Sequence, residues 1–506
     1  MGNHHGHGPH SKSGDSTPTS NGSRKSISRT VSNHEIPADK PSPLLPVEKL
    51  TKILADKSFE EENIHGITLN VFTKYLFPRY PVLAEKLFTY LLKGAKSRNT
   101  YIDIQGFKHQ CEKYLSVSVP SMIAPLDILK FQILDDETVR DVFVRMFATQ
   151  VEDSGEIITP EGLRSLLMCA YHVSMDHYSE GPQMCLSISK TLKAVVDSCF
   201  HTKTQLSTQF VSHWLAANCP RLLLPLHRYL VHSLATSWRT LEDIANAPAA
   251  GLELATPVLE QAPPFSQKHP HLLHMSLSWL LAGALPPVFS RPQKAHSPSN
   301  SGVGLASTAF LTKLLCAVPS HWVVLYDSDD NGLGANRFLH HVMSYKGPTL
   351  CLLKVEDGQV FCIASPNEWK ESNHYWGGEE SAVFQLLPKF VLLEMGSKML
   401  YLNTTVRGYP YGLRAGKDPR KPIIIVDGGF EKMEFKKIPY SLLRIEVWGC
   451  GDPVSREHQL EVKKWEVKEA ERQRCVKLSA ADWLDHPDRY LLELAGRPQY
   501  HQNQTQ

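Results

Sequence analysis

The sequence predicts an α+β, multi-domain chain: an N-terminal all-α, EF-hand-like helical region followed by a β-sandwich with peripheral helices. Three observations carry that reading. Residues 45–240 place apolar side chains at helical spacing. Residues 294–452 show β-type runs punctuated by Gly and Asp. Residues 453–506 return to helix, charged and sparsely apolar, and end in a tail. A length of 506 residues leaves room for two or three domains plus tails.

Composition narrows the function classes. A net charge of +2 gives no argument for nucleic acid. The ten cysteines form no C-x-x-C pair and no regular spacing, which favours buried thiols in a reduced compartment over a disulfide frame or a zinc site. The N-terminus has no apolar signal segment, and no run of 18 apolar residues exists. Leu272 to Ala284 is short, contains His274, Ser276 and Ser278, and reads as a core helix. Membrane contact is therefore expected to be peripheral or lipid-mediated.

Residues 1–44, rich in Ser, His, Pro, Gly and Asn, read as a disordered tail. Met1-Gly2-Asn3 invites N-myristoylation of Gly2, although Gly6 stands where the motif wants Ser or Thr. One acyl chain anchors weakly, and the tail has few basic residues to help. His4, His5, His7 and His10 are either metal ligands or part of a soluble low-complexity tail.

The helical region follows. Val139, Val142, Phe143, Met146 and Phe147 recur at i, i+3, i+4, i+7 and i+8. So do Leu163, Leu166, Leu167, Ala170 and Tyr171, and again Leu192, Val195, Val196, Cys199 and Phe200. The first two stripes flank a twelve-residue loop, Gln150 to Glu161, with Gly155 at position 6, Ile157 at 8 and Glu161 at 12, the register of a calcium loop. Gln150 replaces the first Asp and Ser154 is neutral, so Glu152 and Glu161 are only weak metal candidates. The expected role is a ligand-poor scaffold, with Lys96 to Phe107 as its paired loop; a calcium-responsive switch is the alternative. Residues 241–293 read as a linker with one short helix. Its His269, His271 and His274 have no Cys or carboxylate close in sequence, so no metal site is predicted there.

The stretch His321 to Ser365 organises the rest. Trp322 to Tyr326 is a β-type run, Asp327 to Ala335 a polar loop, and Phe338 with Val342 a short helix. Thr349 to Val355 and Gln359 to Ala364 form a strand pair turned by Asp357-Gly358. Those two strands are almost continuously apolar, so both their faces should be covered. Asp327, Asp329, Asn331 and Gly332 match half a calcium loop, but a strand precedes them and Phe338 stands where Glu belongs. They are expected to form a turn that satisfies its own backbone donors.

Tyr326, Gly332, Phe338 and Gly347-Pro348-Thr349-Leu350 resemble the opening of a TLDc domain. His374 to Ser381 is similar to that family's glycine–glutamate segment, and Ile445-Glu446-Val447-Trp448-Gly449 to its closing motif. The resemblance spans roughly residues 294–452 and implies a β-sandwich. Beyond it, Glu461 to Arg474 reads as an exposed helix with Val462, Trp465 and Ala470 as sparse apolar positions, and Ser479 and Asp482 suggest a second helix through Leu494. Trp465 either binds a partner, with Val462, or docks on its own domain.

No G-x-S-x-G elbow, P-loop or dinucleotide fingerprint occurs. Glu379 and Glu380, a candidate partner contact, would face opposite sides in a strand and do not suit paired acid–base work. Cys351 and Cys362 lie in apolar strands, where thiolate formation is disfavoured. The expectation is therefore no enzyme and no cofactor. The order of segments, with Met1-Gly2-Asn3, resembles an MTOR-associated, typically myristoylated subgroup of the TLDc family. That resemblance implies a cytoplasmic regulator, peripheral on the lysosomal membrane. It implies subunits of the vacuolar proton-pumping ATPase and MTOR pathway components as partners. The wider family's link to oxidation resistance implies the alternative of an oxidation-resistance protein or an enzyme.

Overall fold

The three apolar stripes fold inward as helix faces: Leu163, Leu166, Leu167, Ala170 and Tyr171, for example, are all fully buried. The computed structural model describes residues 46–96, 99–115, 136–151, 155–175, 187–240, 258–260, 270–290, 321–474, 491 and 494–496. The tail, with Gly2 and the histidine run, lies outside the described residues, as do Glu152 and most of the stretch expected to form a second C-terminal helix.

The helical part begins with α1 (Pro46–Glu62), α2 (Leu69–Leu76), α3 (Pro81–Gly94) and α4 (Ile104–Leu115). Next come α5 (Asp136–Met146), β1 (Thr149–Val151), β2 (Gly155–Ile158), α6 (Pro160–Ser174) and α7 (Ile188–Phe200). Then follow β3 (Leu206–Ser207), α8 (Thr208–Asn218) and α9 (Leu224–Thr240). One local pattern recurs. An apolar residue bridges to another loop, the next residue starts a helix, and the helix leads away. Ile67 bridges Ile102, with reciprocal backbone hydrogen bonds of 2.8 and 3.0 Å. Ile158 pairs with Leu206. Thr68, Thr159 and Ser207 cap α2, α6 and α8 by accepting the N–H three residues on, and Asp103 accepts that of Gly106.

This pairing corrects the expected one. The loop around Ile102 joins the loop of Ile67, and the loop of residues 150–161 joins Leu206. Each helix–loop–helix unit pairs with its neighbour in sequence, because the short connection brings those two loops together first. Gln150 also lies in a hairpin, opposite Glu156, rather than wrapped in a ligand loop.

Residues 270–290, at the end of the span read as a linker, are core, in keeping with the reading of Leu272 to Ala284 as a core helix. After the short strand β4 (Val258–Glu260), α10 (Met275–Ala284) is buried on nearly every residue, including Trp279. Apart from Ser276 and Ser278, both buried, its side chains are small or apolar all round, so it carries no amphipathic stripe.

The C-terminal part is a large, almost wholly antiparallel sheet. Its strands are β5 (His321–Asp327), β6 (Thr349–Val355), β7 (Val360–Ser365), β8 (Ala382–Leu387), β9 (Val391–Met395) and β10 (Leu400–Asn403). They continue with β11 (Gly412–Ala415), β12 (Ile424–Val426), β13 (Lys432–Phe435) and β14 (Ile438–Gly449). The order is β10-β11-β12-β13-β14-β6-β7-β8-β9, with β5 also on β14 and β4 parallel to β5. β14 is the hinge. Its first residues pair with β13 and its last with both β5 and β6.

The sheet folds back along β14, so Phe361 of β7 meets Phe435 of β13 at 4.6 Å between ring centres. Leu353, Val355 and Ile363 share this inner core with Leu402, Leu413 and Ile424. The opposite face of the same strands, Leu350, Leu352, Cys362 and Phe384, packs on the helices in one continuous core. Both faces of β6 and β7 are therefore covered. Phe390 N–H bonds to the Ala194 carbonyl of α7, and Leu392 N–H to Asn218 Oδ1 of α8. Each large apolar side chain buried between the helices and the sheet contributes about 1.5–3 kcal/mol.

Candidate functional site

Two places on the sheet gather unusual side chains: a buried ionic latch inside and an exposed helix outside.

The latch starts from alternation on β14. Arg444, Glu446 and Trp448 point to the helical side, while Ile445 and Val447 point to the inner core. Glu446 pairs in register with Asp327 of β5, setting two carboxylates side by side in the interior. Such a pair needs cations between its members. Arg444 supplies one. Its Nε and NH2 reach Asp327 at 3.1 and 2.6 Å, its NH2 reaches Glu446 at 2.8 Å, and its NH1 reaches Asp329 at 3.0 Å. His271 supplies the other, with Nδ1 3.2 Å from Asp327 and 3.5 Å from Glu446.

Interactions of His271 with the Asp327 and Glu446 carboxylates, as acceptors, raise its pKa to about 9, against the opposing effect of burial. Burial pushes Asp327 up, but hydrogen bonds from His271 and Arg444 outweigh it and hold the carboxyl at about 2. The backbone completes the shell. Leu272 and Leu273 N–H donate to Glu446 at 2.5 and 3.1 Å, Trp448 Nε1 donates at 3.1 Å, and Arg444 NH1 donates to the Pro270 carbonyl at 2.9 Å. The His271 and Trp448 rings meet edge to face at 5.2 Å.

Among the described residues, His271, Asp327 and Glu446 are the one group of three with metal-ligand chemistry and converging atoms. Arg444 already fills the cationic role between the two carboxylates, so the arrangement serves as a clamp: it fixes residues 270–273, and hence the start of α10, onto β14. Sequence proximity could not reveal it, because the carboxylates that His271 meets come from β5 and β14. Asp327 and Asn331 also make the local turn expected of them: Asp327 Oδ1 accepts Asp329 N–H at 3.0 Å, and Asn331 Oδ1 accepts Asp327 N–H at 3.3 Å.

The exposed helix, Pro453–Arg474, leaves β14 through a close approach of glycines to Tyr345. A Cβ on Gly449 would lie 2.6 Å from the Tyr345 ring, and Tyr345 OH accepts Gly451 N–H at 2.8 Å. Asp452 caps the helix by accepting Ser455 N–H at 3.0 Å. Gln459 is fully buried. Its amide donates to the carbonyls of His341 and Met343, each at 3.0 Å, at the end of the helix Ala335–Val342. Lys463 Nζ adds a bond to the His341 carbonyl at 3.3 Å, a cation at the negative end of that helix. Burial first, then Arg456, lowers the Lys463 pKa to about 8.

With Gln459 and Lys463 inward, the opposite face presents Val454, His458, Glu461, Val462 and Trp465 at i, i+4, i+7, i+8 and i+11. The last four line a shallow groove of about 240 Å³, and Trp465 is 64% exposed. Val462 and Trp465 are thus brought together. Glu379 and Glu380 sit elsewhere, on the turn before β8. Glu161 is exposed in the first turn of α6. Counting four residues on from the bridging Ile158, the interval between positions 8 and 12 of a calcium loop, gives Gly162 rather than Glu161. The same count from Ile67, Ile102 and Leu206 gives Val71, Gly106 and Phe210, none with a carboxylate. Burial pushes the thiols of Cys351, Cys362 and Cys450 upward, and that of Cys199 to about 12. No helix among the described residues is long and apolar enough to cross a membrane.

Residues 304–467 match the protein family described as the TLDc domain. The match therefore takes in the exposed helix as far as Val467, further than the closing strand. "Restriction of telomere capping protein 5" of Lachancea thermotolerans is 24% identical over 350 residues, covering 62% of this chain and 59% of that protein. "MTOR-associated protein MEAK7" of Xenopus laevis is 24% identical over 153 residues, covering 27% of this chain and 33% of that one. A Kluyveromyces lactis protein with the same telomere-capping name is 32% identical over 83 residues, covering 16% of this chain and 14% of that one. The chain thus spans less than two thirds of the length of each of these relatives.

Proposed function

We propose, from the premise that residues 304–467 form a TLDc domain, that this chain is a non-enzymatic adaptor that docks on a large membrane-bound assembly. Following the family resemblance, that assembly is the vacuolar proton-pumping ATPase at the lysosomal membrane, and the docking serves MTOR signalling. The name of the Xenopus relative is in keeping with the second part. The observation that carries the reading is the outward stripe of the helix Pro453–Arg474. An aromatic side chain 64% exposed, on a helix held rigidly by its other face, has the character of an interface anchor. The helical part, in this reading, is an EF-hand-like scaffold held by its bridging loops, and Gly2 acylation raises the local concentration at the membrane. The fungal relatives are named for telomere capping, but a net charge of +2 supports no direct grip on DNA.

The test is recovery of partners from detergent-solubilised lysosomal membranes on the full chain and on Trp465→Ala, read by mass spectrometry. Proton-pump subunits should come down with the wild type and be lost from a variant that melts normally. A folded full chain that recovers none, across calcium and nucleotide conditions, would overturn the reading. Gly2→Ala should lower membrane association without changing recovery from detergent.

A further inference from the structure

On the sheet half formed by β10 to β13, far in sequence from the C-terminal helix, lies an open groove of about 760 Å³, within the range of small-molecule sites. Its floor follows from strand alternation. Leu400, Leu402, Leu413 and Ala415 point into the inner core, so Tyr401 and Arg414, partners in the β10–β11 register, share the outer face. Tyr375, from the loop before β8, lays its ring against Tyr401 at 5.3 Å and 32°. Tyr401 OH is fixed by the Pro410 carbonyl at 2.8 Å, and Tyr409, 44% exposed, forms a further wall.

Three cations meet over this aromatic floor. Lys398 precedes β10 and Lys417 follows β11. Both are exposed, and with Arg414 they line this groove. Lys398 holds a left-handed backbone, φ +54°, where glycine or asparagine would sit with less strain. Arg414 is half-buried, and its Nε has no acceptor. None of the three forms an ion pair among the described residues. The carboxylates at the rim are otherwise engaged: Glu394 accepts Lys417 N–H at 2.5 Å, and Asp418 accepts Arg420 N–H at 2.9 Å.

We infer that this groove binds a compact, multiply phosphorylated ring, either a free phosphorylated polyol or the same group displayed as a lipid headgroup. A guanidinium matches phosphate oxygens two at a time, and two ammonium groups lining the same groove suit a second phosphate on the same small molecule. Tyrosine faces accept the ring's C–H edges. An acidic peptide, with one charge per side chain spread along an extended backbone, would use such a concentrated site poorly.

The experiment is calorimetric titration of the full chain with inositol hexakisphosphate and with inorganic phosphate. Alongside it runs flotation with phosphatidylcholine vesicles with and without phosphatidylinositol bisphosphate. The ring phosphate should bind more tightly than inorganic phosphate. Lys398→Gln/Lys417→Gln, both exposed positions, should melt like the wild type and lose about tenfold or more in affinity. Arg414→Lys, which keeps the charge but loses the fork, should lose about tenfold. Tighter binding on vesicles than in solution identifies the headgroup source, and equal binding the free one. Wild-type chain that binds neither probe overturns the inference. So does affinity unchanged in the double variant, or displacement of the probe by polyglutamate at equal potency.

Discussion

Trp448 and Trp465 stand 17 positions apart, one at the end of β14 and one on the helix that follows it. The first is fully buried, with its N–H on Glu446, inside a cage of Arg444, His271 and Asp327; the second is 64% exposed beside His458 and Glu461. The neighbourhoods use the same residue types, an indole among acidic and basic groups. Only burial separates their roles. In the interior a charge left without its partner is costly, so each member of the latch depends on the others. On the surface the same charges are screened and nearly independent, and the indole is free to meet another molecule.

The largest effect expected is at the centre of the latch. Glu446→Ala leaves Arg444, His271 and three N–H donors facing an apolar gap, and should lower unfolding free energy by about 3–5 kcal/mol in urea titrations. A loss below about 1 kcal/mol would mean that solvent already reaches the cluster.

Next comes pH. His271 has its pKa raised to about 9 from an ordinary value near 6.5, so it binds a proton more tightly folded than unfolded. Its contribution is complete below about pH 6.5 and fades as pH rises through about 9, amounting to roughly 2–3 kcal/mol near neutrality. Asp327 works in the opposite sense, stabilising above its ordinary value near 3.8 and failing as pH falls through about 2. The urea midpoint should therefore decline from pH 6.5 to 9, and His271→Asn should flatten that slope. An unchanged slope in the variant would remove His271 from the clamp.

Trp465→Ala sharpens the contrast from outside. Stability should stay within about 0.5 kcal/mol, while partner recovery drops by an amount corresponding to about 2 kcal/mol or more. A variant that instead unfolds more easily would show that the indole packs on its own domain. The smallest effect belongs to the joint between the regions. Gln459→Ala uncovers the carbonyls of His341 and Met343 and should cost about 1 kcal/mol, with faster amide exchange along the helix Pro453–Arg474.

Local order was largely legible. Stripes such as Leu192, Val195 and Val196 became buried helix faces, and the run from Trp322 to Ala364 became β5, a helix and the β6–β7 pair, with Gly358 at φ +81° in the turn. The helix α10 was legible as a short apolar run, but its docking on the sheet was not, because nothing local marks the carboxylate of Glu446 that receives its leading backbone. One readable signal was missed. Ile67-Thr68, Ile102-Asp103, Ile158-Thr159 and Leu206-Ser207 each set a bridging apolar residue before a residue that starts a helix. Seen together, they give the correct pairing of loops and place Glu161 one residue short of a ligand position.

By itself the sequence determined the periodic elements, their capping and the resemblance of roughly residues 294–452 to one domain, because each depends on side chains a few positions apart. Only the tertiary structure decided which charges are buried and which are offered outward. Arg444 meets Asp327 across 117 positions, and Glu446 meets the Leu272 backbone across 174. No local rule selects such partners. They are fixed by the register of β14 against β5 and by the docking of α10, and their energy exists only once water has been removed from between them.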